Sequence, residues 1–391
     1  MHKKAIVRLQ DCVNEALDGC FITSGWPTLP ESSKTIYSLV AKTKDKWITP
    51  AAVYSSLVSK ILSYLRTEGT DWYDLNGKLN GVLSAEEIEA LKKEIVEYFS
   101  SIPRSYVLKM PLPTPPEIID RDIALSDTIS LEYENSSRSL SQTPTLGLLA
   151  GVPEKKLFLS VNLLGHTTFD IDSFCPKETL SIYKVIIHQA LHRELFELKN
   201  GGIRPTYIGH SHQIPKSILQ SLDTGNPEEQ TNISLPINLC IFISQLCFKH
   251  PCKNIEQIQS LLQPAISLTQ SSESEAKRVR AAIEWSFDAL VNDNENLAFL
   301  QVCFGFEALL GEGENKAGLT ETLADRCAFL IGTSIKGRAK IKKNFKELYR
   351  VRSKLVHGVV NSLSEEEKKY FYWGQTVLNT AIAKELKHLN L

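Results

Sequence analysis

Residues 336–360 read KGRAKIKKNFKELYRVRSKLVHGVV. Ile341, Phe345, Leu348, Leu355 and Val359 fall on one side of a 3.6-residue helix, so the segment is expected to be a long helix with one face in a core. What that stripe leaves over is cationic: Lys336, Arg338, Lys340, Lys342, Lys343, Lys346, Arg350, Arg352 and Lys354, with Glu347 the one acid among them. Positive charge gathered on one helix is the local footprint of phosphate contact. Lys342, Lys343, Lys346 and Lys354 are the side chains expected to meet phosphates. A solvated basic face is the plain alternative.

Outward from this helix, the same periodicity predicts helices over residues 235–248, 254–262, 274–291, 297–310, 319–331 and 364–389, an all-α bundle. Upstream, the polar segment DTGNPEEQTN (223–232) reads as a linker. Residues 5–18, 49–66 and 84–100 have helical spacing, the last with a Ser84/Glu87 capping box. Five prolines between Pro103 and Pro116 then favour extended chain, and residues 106–110, 128–133 and 156–164 read as strands, with helical spacing again over 178–199. The expected fold class is α+β overall, with an N-terminal mixed helical/β region over 1–230, divisible at about residue 100, and an all-α domain over 231–391.

The chain has 391 residues, 42% hydrophobic and 23% charged, with 44 Lys plus Arg against 45 Asp plus Glu. This is the composition of an ordered globular protein with near-neutral charge, so only local clusters of charge inform on partners. Arg8, Gln10, Asp11, Asn14 and Glu15 interrupt the opening residues, and no signal peptide is expected. The apolar run at 235–248 falls short of the ~20 residues of a membrane span. Eight irregularly spaced cysteines then fit reduced thiols and a cytoplasmic location, with no membrane partner.

Within the basic segment, Arg352 and His357 stand with four residues between them, followed by Gly358, which can end or bend a helix. On a regular helix that step turns by about 140°, so the two do not share a face. Either the helix bends near Gly358, or two copies of the segment complete each other's site, or Arg350, seven residues before His357 and on its face, replaces Arg352.

Three linked blocks, FGFEALLG (304–311), LADRCAFLIG (323–332) and LYRVRSKLVHG (348–358), make residues 275–390 resemble the Apea-like branch of the HEPN superfamily. The resemblance implies a HEPN-like helical bundle in which Arg352 and His357 are catalytic. Ser353 stands where many active members carry Asn, Asp or His, and Arg350 meets the family's looser spacing. Glu307 and Arg326, from the other two blocks, are candidate supporting residues. It further implies a homodimer that acts on RNA, in toxin or antiviral defence.

The residue types suit such chemistry. Attack of a 2′-hydroxyl on the adjacent phosphorus needs proton removal, protonation of the leaving oxygen and charge neutralisation. His357, of a residue type titrating near about 6.5, suits general acid–base work, and Arg352 suits holding the phosphorane. The expected products are 2′,3′-cyclic phosphate and 5′-hydroxyl ends, with no metal or other cofactor required. The N-terminal region would regulate, sense a trigger or choose the substrate. The main alternative is a non-catalytic HEPN-like module that binds RNA or protein.

Two other constellations are weaker. His188 and His192 lie four apart on a helix, with His210 and His212 downstream, but Gln189 stands where a zincin has Glu. Cys240, Cys247, His250 and Cys252 lack paired C-x-x-C spacing and read as buried thiols. The five tryptophans are scattered, and read as core or interface anchors.

Overall fold

The structure is a computed structural model that describes residues 1–66, 71–136, 154–199, 205, 218–223, 225–249, 254–311, 318–358 and 362–390. Along the chain the elements are α1 (Lys3–Asp18), β1 (Phe21–Thr23), β2 (Trp26–Thr28), α2 (Lys34–Thr43), α3 (Pro50–Leu65), β3 (Gly77–Lys78), α4 (Leu79–Val82) and α5 (Ala85–Ser101). Next come β4 (Arg104–Pro111), β5 (Ile123–Ala124), β6 (Ile129–Ser136), β7 (Glu154–Gly165), α6 (Phe174–His192), β8 (Phe196–Leu198), β9 (Ile218–Asp223) and β10 (Asn226–Ser234). The remainder is α7 (Ile237–Gln245), β11 (Leu246–Phe248), α8 (Ile255–Gln270), α9 (Ser274–Val291), α10 (Glu295–Leu310), α11 (Leu319–Ile331), α12 (Ile335–Val356) and α13 (Glu365–His388). The fold is mixed α+β with a C-terminal helical region.

Two compact units are discontinuous in sequence, and β4 and β7 contribute one end to each. The first takes residues 1–108, 162–178 and 219–234. Its core is built by Leu9, Val13 and Leu17 of α1, Ile36 and Val40 of α2, Leu57 and Ile61 of α3, and Leu91, Ile95 and Phe99 of α5. Thr49 caps α3, its side chain accepting from the Ala52 N–H, and Pro50 follows where a missing N–H costs nothing. The Ser84/Glu87 capping box forms as expected. In this unit the strand order is β10-β9-β4-β7. The polar segment 223–232 is therefore strand, not a linker: most of it lies in β10, whose ladder satisfies the backbone while Gln230 and Asn232 stay exposed.

The second unit takes residues 109–161, 179–218 and 235–391. Here β6 pairs antiparallel with both β5 and β7, running from Ile129 opposite Val161 to Ser136 opposite Glu154. α9 packs against α10, α11 against α12, and α13 contacts all four. Gly305 of α10 permits that approach, because a Cβ there would stand 2.6 Å from Leu378 of α13. The all-helix expectation after residue 231 fails at 246–248, where β11 pairs with β8 and draws a ladder partner from residues expected to be helical. The helix expected over 178–199 ends at His192 for the same reason. Among the described residues no helix is long and apolar enough to cross a membrane.

Candidate active site

α12 starts at Ser334, whose hydroxyl accepts from the Gly337 N–H at 3.1 Å, and runs to Val356. His357 is its C-cap, with its N–H donated to the Ser353 carbonyl at 3.1 Å, and Gly358 follows at φ +67°. That left-handed conformation is the glycine turn that commonly ends a helix. The helix thus stays regular past Arg352 and turns only after His357. No bend brings the two together within one chain, and the ~140° between them stands.

Phe345, Leu348, Tyr349 and Val351 are the buried residues of α12. Arg352 follows Leu348 by four and precedes Leu355 by three, so it extends the core stripe, and its guanidinium turns into the bundle. Its Nη2 lies 3.1 Å from Glu307 Oε1 on α10, with the two side chains 27% and 26% exposed. The charge also lies over the rings of Phe304 and Tyr349, at 5.9 and 5.8 Å. Tyr349 donates its hydroxyl toward the Cys303 carbonyl and Glu307 Oε1, both at 3.3 Å. Burial, reinforced by the nearby acidic groups Cys303 and Glu307, holds that phenol well above its usual pKa, so it remains a neutral donor. Arg352 Nε is buried with no hydrogen-bond partner among the described residues. Arg352 and Glu307 are the two proposed site residues that the structure joins.

The others are elsewhere. Arg326 Nη1 donates to the Leu310 carbonyl at 2.6 Å and so closes the last turn of α10. Ser353 is exposed, as is Arg350, whose Nε is 2.8 Å from Glu347 Oε2. The His357 ring is exposed, with no side-chain hydrogen bond or ion pair among the described residues.

The lysines meet acids from neighbouring helices. In sequence only Glu347 opposes the basic run, yet in three dimensions α11 and α13 supply more acids. Lys342 pairs with Asp325, Lys346 with Glu321 at 2.5 Å, and Lys354 with Glu367 at 3.0 Å. Three of the four lysines expected to meet phosphates thus have ion pairs within the protein, and Lys343 alone of the four has none among the described residues. With Lys336 and Lys340 it forms an exposed row at steps of four and three, which continues through Arg350 to His357 at steps of seven. This outward row was legible from spacing. The answering acids were not, because they come from other helices.

The histidine pair is structural at His188. That buried ring has Nε2 3.1 Å from Asn379 Oδ1 and Nδ1 3.2 Å from Gln189 Nε2, so the amide donates to Nδ1 and Nε2–H donates to Asn379. Both nitrogens are occupied, and burial lowers the pKa well below the usual histidine range. His210, His212, His250 and Cys252 lie outside the described residues. Cys240 and Cys247 face the Leu235 and Glu197 carbonyls, at 3.5 and 3.6 Å.

A different buried cluster escaped the sequence reading. His166, fully buried in the first unit, has Nε2 2.9 Å from the Tyr98 hydroxyl and 3.1 Å from Ser56 Oγ. Nearby, Arg104 pairs with Asp223 at 2.6 Å. These residues come from separate segments with no shared spacing.

A scan against protein-family models, a search of curated proteins and a search of solved structures each find no match to this chain.

Proposed function

We propose that this protein is a metal-independent endoribonuclease of the HEPN kind, acting as a homodimer on RNA with its chemistry on α12. The observation that supports it most is the exposed row Lys336, Lys340, Lys343 and Arg350, which ends at the helix terminus on the His357 imidazole, without a side-chain partner among the described residues. A phosphate backbone lying along that row meets cations first and a titratable ring at its end. His357 removes the 2′-hydroxyl proton and returns one to the leaving 5′-oxygen. An arginine steadies the charge on phosphorus, either Arg350 of the same face or Arg352 of a second copy. The products are a 2′,3′-cyclic phosphate and a 5′-hydroxyl, and protons move only between imidazole and sugar oxygens. The family resemblance further suggests a role in toxin or antiviral defence, with the N-terminal elements as sensor or regulator.

A second reading, an RNA- or protein-binding module without catalysis, is favoured by one observation. Arg352 is engaged by Glu307 at 3.1 Å, as a structural arginine would be.

Wild type, Arg350→Ala, Arg352→Ala and His357→Ala proteins are compared for RNA cleavage, with and without EDTA, and for growth arrest on expression. Cleavage that survives EDTA, leaves cyclic phosphate ends and is lost in His357→Ala supports the nuclease. Intact RNA with wild-type protein excludes it. RNA retention without cleavage, sensitive to the Lys343 charge, supports the binding module.

A further inference from the structure

Trp26 and Trp72 are far apart in sequence, yet the first unit brings their rings edge to face with centroids 6.0 Å apart. Ser24 at φ +48° and Gly25 at φ +75° make the turn between β1 and β2, and two successive left-handed residues are what a two-residue hairpin requires. The Gly25 N–H donates to the Leu75 carbonyl at 3.0 Å, and a Cβ on Gly25 would collide with the Trp72 carbonyl. The hairpin and the turn that carries Trp72 are thus held tightly together.

This arrangement leaves aromatic rings outside. On the sheet β2-β1-β3, Ile22 and Pro27 are buried, while Phe21, Thr23, Trp26, Thr28 and Lys78 are exposed on the other face. Phe21 is 47% exposed and Trp26 51%. With Phe21 opposite Thr28 and Trp26 opposite Thr23, the two rings stand diagonally across one strand pair, a spacing of about 7–8 Å. Exposed apolar residues scattered singly carry no message, but rings gathered on one rigid face do.

Charge selects the partner. Lys78 stands opposite Phe21 in the β1–β3 register, and the Arg66 guanidinium lies over Trp72 at 4.1 Å and Trp26 at 5.5 Å. Both cations are exposed, and neither has an ion pair among the described residues. The outward sheet face holds no acid, and Asp71 and Asp74 belong to the adjoining turn. Open ring faces with cations beside them match the bases and phosphates of an unpaired strand. A duplex keeps its base faces stacked on one another and cannot offer them.

We propose that the outward face of β2-β1-β3 binds single-stranded nucleic acid, with one base on Trp26, a neighbouring base on Phe21, and Arg66 and Lys78 toward the phosphates. RNA and DNA strands share this chemistry. The site lies in the first unit and stands independently of the chemistry on α12.

The test is a fluorescence-anisotropy titration of the full chain with labelled strands of about ten nucleotides, within the usual span of such sites. The probes are 2′-O-methyl RNA, which has no free 2′-hydroxyl to attack phosphorus, DNA of the same sequence, and the RNA in duplex form. A single strand binds at least about tenfold more tightly than the duplex, and the tighter of the two strands names the ligand. Phe21→Ala and Trp26→Ala each weaken that binding by about tenfold, the effect of one lost base stack. Phe21→Ala removes an exposed ring and keeps the wild-type melting temperature, so its loss of binding is not a loss of fold. A 4-thiouridine strand cross-links under near-ultraviolet light to the peptide that holds Phe21 and Trp26. No binding, equal affinity for strand and duplex, unchanged binding in both variants, or cross-links confined to α12 each overturn the proposal. Because binding is read on strands that cannot be cut, the result is separate from the presence or absence of RNA cleavage.

Discussion

Replacing His166 by glutamine removes a group that makes the first unit sensitive to acid. The imidazole is fully buried, its Nδ1 has no hydrogen-bond partner among the described residues, and Arg104 lies close by. Burial first, and the arginine charge second, lower its pKa from 6.5 to about 4. In the unfolded chain it titrates normally, so below about pH 6.5 the unfolded state binds more protons and stability falls as pH falls. The loss is small at pH 7, about 2 kcal/mol by pH 5 and about 3 kcal/mol at pH 4, where the folded group also begins to charge. The assay is urea unfolding at a series of pH values, read by tryptophan fluorescence in a background with Trp285 and Trp373 changed to Phe. The signal then comes from Trp26, Trp47 and Trp72 of the first unit, where Trp47 stacks edge-on to Phe174 at 5.0 Å. His166→Gln lowers stability at neutral pH but flattens the acid slope, so the wild-type loss between pH 7 and pH 5 exceeds that of the variant by about 2 kcal/mol. Other titrating groups cancel in this comparison. Identical slopes in the two proteins would refute a neutral, buried His166.

Two further outcomes test the helical unit. Glu307→Ala leaves the half-buried Arg352 charge unanswered and costs about 1–3 kcal/mol in chemical denaturation, discounted for partial exposure, whereas adding Arg352→Met recovers part of that loss. Strict additivity of the two changes would show the 3.1 Å pair to be uncoupled. Gly305→Ala forces a methyl group against Leu378, where 2.6 Å is available, and lowers stability by about 1–3 kcal/mol with a matching fall in melting temperature. An unchanged melting temperature would mean α10 and α13 pack less closely than the structure shows.

Local order was legible in the sequence because its causes are local. The apolar spacing of 319–331 and 274–291 gave helices with the observed bounds, and the Ser84/Glu87 box formed where its two residues stand three apart. The three strands read at 106–110, 128–133 and 156–164 lie within or overlap β4, β6 and β7. The hairpin of β9 and β10 was missed because a polar, turn-rich composition resembles a linker until a neighbouring strand supplies the ladder. β11 was missed because the run LPINLCIFISQLCF is apolar throughout, and such a run fits a buried helix or strand equally well.

For the candidate site, the sequence by itself determined that α12 exists, that its outward side carries Lys336, Lys340, Lys343 and Arg350, and that His357 and Arg352 point about 140° apart on a regular helix. It also held, unread, the reason Arg352 faces inward: the residue continues the stripe of Phe345 and Leu348. Only the tertiary structure decided which charges remain available, since Asp325, Glu321, Glu367 and Glu307 reach α12 from other helices. Charge on a helix is a property of sequence. Its neutralisation depends on which neighbours packing brings within about 4 Å, and no spacing along one helix records that.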